Sequence, residues 1–259
     1  MDVIAIKRAG CILITLAVAC LFVLVPGHGN GATVSKSSPD PFYRNCCVTE
    51  VVKKIGPKAE ARIKPFFDQA GIPYPSRRLT FVVLKEERKF EVWSKNGGNW
   101  VHVRTYDILA ASGSQGPKQK KGDRQVPEGI YRIIGLNPTS SFHLSMKINY
   151  PNNYDLQRAR EENRLNLGGD IYIHGKAKSR GCIAIGDTAI EEIFVLVAKT
   201  RPNYVKVIIA PHDMRKYSPT PDMPSQPSWL PDLYKTIGQE LTKFTIRKDA
   251  QMVTLSGKI

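Results

Sequence analysis

Acidic side chains are the scarce class in this chain of 259 residues, where 23 Asp and Glu stand against 38 Lys and Arg and leave a formal charge of +15 at neutral pH. The sequence also lacks any internal repeat, any low-complexity array and, beyond its first 26 residues, any long hydrophobic run. With 42% hydrophobic and 24% charged residues, these absences exclude a disordered tail, a collagen-like repeat and a multi-span membrane protein. The length suits one principal domain with decorated ends. The charge favours an anionic partner such as nucleic acid, anionic lipid or an acidic wall polymer. No helix-turn-helix, zinc-finger, RRM or KH pattern is present to turn that charge into nucleic-acid recognition, so no nucleic-acid partner is expected.

The one apolar run, Cys11 to Val25, follows Lys7 and Arg8, contains only Thr15 as a polar residue and is broken by Pro26 and Gly27. Fifteen helical residues rise about 22 Å, short of the roughly 30 Å hydrocarbon core of a bilayer. Residues 1–26 therefore read as an export signal or an N-terminal anchor, which implies the periplasm or cell envelope, with N-terminal membrane association as an alternative. Export also changes the meaning of cysteine. Of the five, Cys11 and Cys20 fall in the signal, which leaves Cys46, Cys47 and Cys182. Sequence neighbours pair only under strain, so at least one thiol stays unpaired in an oxidising compartment.

Residues 27–78 read as a Gly/Ser/Asn-rich linker followed by a helical segment. Val48 to Ala70 has helical spacing, with Pro57 either kinking one helix or separating two. Leu79–Leu84 and Lys89–Ser94 read as a hairpin, and strand character continues through Trp100–Ala111, Val126–Ile134 and the alternating Ser141–Ile148. A helix with a Thr188/Glu191 capping box and a last strand, Tyr204–Ala210, close the body. Five prolines between Pro219 and Pro231 mark a linker, and Trp229–Phe244 reads as a helix packing back within the C-terminal extension 213–259. The expected class is mainly β with flanking helices, an α+β fold whose catalytic part spans residues 79–212.

The chemistry concentrates where the apolar strand Ile171-Tyr172-Ile173 runs into His174 and Gly175. His174 and Cys182 bracket the seven residues Gly175 to Gly181. If the flanking strands form a hairpin, the two residues face each other with Cβ atoms about 5 Å apart. An ordinary thiol with a pKa near 8.5 is only about 3% ionised at pH 7, and His174 as an ion-pair partner would lower that pKa. Lys176, Lys178 and Arg180 would add positive potential. Gly181 permits close approach to the main chain, and the amides of Arg180, Gly181 and Cys182 are candidate oxyanion donors. Ser179 is placed to hold the turn. His143 and Tyr150 are candidates for the substrate cleft, with a structural role as the competing reading for each, and Asn152 and Asp155 fit loop packing equally well. His143, His174 and Cys182 lack a fourth partner in any familiar ligand spacing, so neither metal nor cofactor is expected.

The order I-H-G, a short loop, then S-R-G-C-I resembles the L,D-transpeptidase catalytic domain family (YkuD-type), whose signature is H-G followed by [ST]-x-G-C. Lys121–Tyr131, Ser141–Asn152 and Gly168–Gly175 are further matching stretches and look like the YafK-like branch. The resemblance implies a β-rich domain, Cys182 as nucleophile, His174 as its activating histidine, the Gly175 carbonyl as the group that orients the imidazole, and Gly181 with Cys182 as the oxyanion stretch. It implies peptidoglycan stem peptides as partners, acylation after meso-diaminopimelate through a Cys thioester, and a role in cell wall remodelling and cell shape. Two features depart from the family pattern: Arg180 stands where many members have histidine, and the loop is short. Release of a murein-bound lipoprotein, or an amidase or carboxypeptidase reaction with water as acceptor, is therefore the alternative, and a non-catalytic wall-binding protein is the reading from another class.

Overall fold

The computed structural model describes residues 45–217 and 226–245. The expected export signal, the linker 27–40, the Pro219–Pro224 part of the proline-rich segment and the side chains of Cys46 and Cys47 lie outside the described residues. Among those described, no helix is long and apolar enough to cross a membrane.

The chain begins with helix α1 (Asn45–Gln69), which runs through both Pro57 and Pro65 without dividing. Strands β1 (Leu79–Leu84) and β2 (Lys89–Asn96) form the expected hairpin, and β3 (Asn99–Asp107) extends it. Then come β4 (Ala110–Ala111), β5 (Gly129–Asn137), β6 (Ser145–Ile148), helix α2 (Asn153–Glu161), β7 (Tyr172–His174), β8 (Ile183–Ala184), helix α3 (Asp187–Thr200), β9 (Val205–Ala210) and helix α4 (Leu230–Leu241). The nine strands lie in the order β3-β2-β1-β9-β5-β6-β7-β8-β4, giving a β-rich fold with four flanking helices.

Why β1 and β9 are apolar except at Thr80 and Lys206 is settled by their position. They pair in parallel at the centre of the sheet, and both faces are covered. Phe81 and Val83 of β1, with Val207 and Ile209 of β9, point into a core shared with Ile63 and Phe67 of α1 and Phe194 and Val197 of α3. Val82, Leu84, Ile208 and Ala210 alternate to the other face, where Leu230, Leu233, Ile237 and Leu241 of α4 cover them. Each fully buried side chain of this size contributes about 1.5–3 kcal/mol.

Three expectations are corrected. The strand expected over Ser141–Ile148 begins only at Ser145; Phe142 and His143 form a turn in which His143 has a φ of 73°. Helix α3 starts at Asp187, its N-cap Gly186 makes no side-chain cap, and the Thr188/Glu191 box is not formed. Glu191 instead meets Arg62 of α1 at 2.7 Å, and its neighbour Glu192, fully buried, takes hydrogen bonds from Arg62, Arg104 and Tyr106 at 2.7–2.9 Å. A carboxylate buried among such partners pins α1 and β3 to α3, and removing one side of such a pair costs about 3–5 kcal/mol. The third correction concerns β7 and β8, which pair in parallel rather than as a hairpin.

Candidate active site

The parallel register sets His174 beside Ala184 and Ile173 beside Ile183. Cys182 immediately precedes β8 and lies outside its pairing with β7. The reason for the parallel course is that seven residues form a crossing turn instead of a tight hairpin loop, and β4 then pairs with the outer edge of β8. The Cys182 thiol, half-buried and unpaired, lies against the main chain before β7, with its sulfur 3.9 Å from the Asp170 carbonyl.

The imidazole of His174 is 2% exposed, and its Nδ1 lies 2.6 Å from the Gly175 carbonyl. That carbonyl can only accept, so Nδ1 carries the proton and Nε2 is left as the basic nitrogen of the neutral ring. Burial pushes the imidazole below its ordinary 6.5. It also pushes the thiol above its ordinary value, opposed by the Tyr172 backbone and by Lys118. The lowered thiol pKa expected from an ion pair is thus corrected. Both shifts favour a neutral thiol and a neutral imidazole, because desolvation penalises the charged form of each.

Gly175 is required by crowding. A Cβ there would come within 2.6 Å of the Asp187 carboxylate and 2.7 Å of the Phe142 carbonyl. Asp187 also accepts the Lys176 amide at 2.7 Å, and Lys176 Nζ reaches the Ser141 carbonyl at 2.8 Å, so this lysine is tied down at the start of the turn. Phe142 lays its ring on His174, with centroids 4.5 Å apart.

At the other end of the turn, Ser179 Oγ donates to the Cys182 carbonyl at 2.6 Å. Gly181 has a φ of 101°, the left-handed region that favours glycine. Its amide donates to Ser112 Oγ at 2.6 Å, so the structure engages one of the amides expected to serve as an oxyanion donor. Arg180 is exposed and its side chain has no ion pair with any described residue.

Two of the lesser candidates make contacts that fit the structural reading. Tyr150 is 4% exposed, its ring packs edge-on against Tyr131 and its hydroxyl donates to the Leu167 carbonyl, so it is a core residue. His143 Nε2 sits 3.0 Å from Glu191 on α3, which is the structural alternative. Asn152 and Asp155 cap α2. Sequence reasoning missed Ser112, Phe142 and Asp187. Phe142 had a signal, since it lies within a motif that was singled out for its histidine; Ser112 sat in a polar loop with nothing to distinguish it.

Residues 77–209 match the L,D-transpeptidase catalytic domain (YkuD). The chain is 36% identical over 117 residues to YafK of Escherichia coli (strain K12), whose name assigns it to the L,D-transpeptidases; the match covers 44% of this chain and 45% of that protein. The chain spans about half the length of the curated relatives it matches. Among solved structures, the helical cell shape determining protein Pgp2 from Campylobacter jejuni gives a TM-score of 0.43 with 23% identity, covering 52% of this chain and 48% of that one. L,D-transpeptidase 1 of Mycobacterium tuberculosis gives 0.30 with 14% identity, covering 51% and 60%. The matched segment takes in His174, Gly175, Gly181, Cys182 and the strands that carry them, and it exceeds half of the chain: the chain belongs to the L,D-transpeptidase catalytic domain family.

Proposed function

We propose that this protein is an exported cysteine acyltransferase of the cell envelope that acts on peptidoglycan stem peptides, with residues 79–212 as its catalytic unit. The observation that carries the reading is the 2.6 Å contact of His174 Nδ1 with the Gly175 carbonyl, on a strand paired with the one that directly follows the free thiol of Cys182. It leaves Nε2 unprotonated, the state a general base requires.

Cys182 attacks the carbonyl that follows meso-diaminopimelate while its proton passes to His174 Nε2. The tetrahedral oxyanion is met by the amides of Arg180 and Cys182. Collapse breaks the C–N bond, the departing D-alanine amine takes the proton from His174, and a thioester remains. An acceptor amine then attacks the thioester, gives its proton to His174 and restores the thiol as the new amide forms. Cell wall remodelling follows from that exchange.

Incubation with purified muropeptides, with product masses read by mass spectrometry, tests the proposal. Wild type is expected to release D-alanine and form an amide with an added amine, and Cys182→Ala to do neither. Identical products from the two proteins refute it. Products that contain water in place of the amine, whether from a stem peptide or a murein-bound lipoprotein, would make the chain a hydrolase. Binding to murein without any Cys182-dependent product would make it a wall-binding protein.

A further inference from the structure

Two adjoining hollows, of about 820 and 400 Å³, meet at Arg78 and Tyr204, where β1, β9 and β5 come together. No residue of the turn from His174 to Cys182 lines either one. Their walls carry a single carboxylate, Glu240, which is engaged by Lys206 at 2.6 Å and Lys243 at 2.5 Å. Lys199 pairs with Glu60. Arg77, Arg78, Lys95, Arg132 and Arg201 are left, and none forms an ion pair with a described residue. Tyr204, 50% exposed, stands among them.

Arg201 adds a second observation. It ends α3 with φ 79° and ψ 130°, a conformation that suits glycine and strains any other residue. Its main-chain work there, an amide bonded to the Val197 carbonyl, needs no side chain. A glycine would end the helix with less strain, yet the position holds a cation that lines the groove.

We propose that this groove is a docking surface for a linear, carboxylate-bearing polymer, and, resting on the function proposed above, that the polymer is a neighbouring stretch of the peptidoglycan whose stem peptides are acylated at Cys182. Guanidinium groups match carboxylates in paired hydrogen bonds, and Tyr204 offers an amphipathic ring to the less polar parts of a strand. The concavity favours a chain over a bilayer, which would meet a convex or flat face. The surface would hold the enzyme on its polymer between turnovers, three strands away from the nucleophile in the sheet order.

Co-sedimentation of the full chain with purified murein sacculi is the experiment. Arg78→Glu with Arg132→Glu should weaken binding at least about ten-fold, and binding of wild type should fall with rising salt. The rate of Cys182 alkylation by iodoacetamide should not change in the charge variant. Arg201→Gly should both raise the melting temperature and weaken binding, a combination that a purely structural arginine would not give. Should the double reversal fail to fold, Lys95→Glu at the rim reads the same loss. Unchanged sedimentation of the charge variants overturns the proposal, as does binding to phosphatidylglycerol vesicles in place of sacculi. Cys182→Ala should sediment like wild type, so a failed transfer reaction with retained, Arg78-dependent sedimentation would refute the chemistry and leave the surface standing.

Discussion

Ser112 Oγ accepts the amide of Gly181 at 2.6 Å and so fixes the residue that precedes the thiol. The single hydroxyl proton of Ser112 goes to the Arg124 carbonyl at 2.7 Å, while Ser179 gives its own to the Cys182 carbonyl at 2.6 Å. The two hydroxyls, 3.4 Å apart, therefore act in parallel on the turn. Ser112→Ala strands the Gly181 amide, a loss of about 1–3 kcal/mol, which corresponds to a fall of roughly ten-fold or more in turnover with KM little changed if the turn loosens. Ser112→Thr should restore most of it. A rise in turnover of the alanine variant would mean instead that Ser112 withholds an amide the oxyanion needs.

The paired shifts at the site set a pH profile. Burial holds His174 below 6.5 and Cys182 above 9.0, so the neutral pair persists across the interval between them. The acid limb of kcat/KM is expected below pH 6.5, where His174 takes a proton, and the rate should stay level up to about pH 9. The ultraviolet absorbance of a thiolate, taken as the difference between wild type and Cys182→Ala, should be absent at neutral pH. A thiolate signal at pH 6 would show an ion pair at rest and refute this expectation.

Phe142 supplies part of the burial that depresses His174, since its ring lies over the imidazole at 4.5 Å. Phe142→Ala admits water to that face, and the pKa of His174 should return toward 6.5. The acid limb should therefore move upward in pH, while alkylation of Cys182 at pH 8 continues. An unmoved limb would assign the depression to other parts of the pocket. Phe142 is itself 41% exposed, so its removal should cost the fold little.

The central strands were legible because their composition follows from burial on both faces: β1 and β9 are apolar at every position except Thr80 and Lys206. The His174 and Cys182 pair was legible from its bracket, but its geometry was not. Seven residues suit a hairpin loop as well as a crossing turn, and in the structure β7 and β8 pair in parallel. Glu191 shows a similar limit. Its spacing from Thr188 is that of a capping box, yet Arg62, 129 positions away in sequence, claims the carboxylate. Tyr150 is open in the sequence between a cleft role and loop packing, and its ring contact with Tyr131 of β5 is not legible from its own neighbours.

Asp155 ties stability to pH away from the site. Its carboxylate accepts the Asn152 amide at 2.8 Å and the Tyr131 hydroxyl at 3.2 Å, which favours the ionised form. Burial outweighs both and pushes the carboxyl up to about 6 from an ordinary 3.8. The folded protein therefore binds this proton more tightly than the unfolded chain. Its contribution to stability is complete below pH 3.8 and is lost as pH rises through 6. At neutral pH the difference is about 3 kcal/mol. Asp155→Asn keeps an acceptor for one of the two donors and carries no charge. Relative to wild type, the variant should gain stability as pH is raised from 4 to 7, read as a growing difference in melting temperature. Parallel pH dependences of the two proteins would show that the Asp155 carboxylate is accommodated without cost.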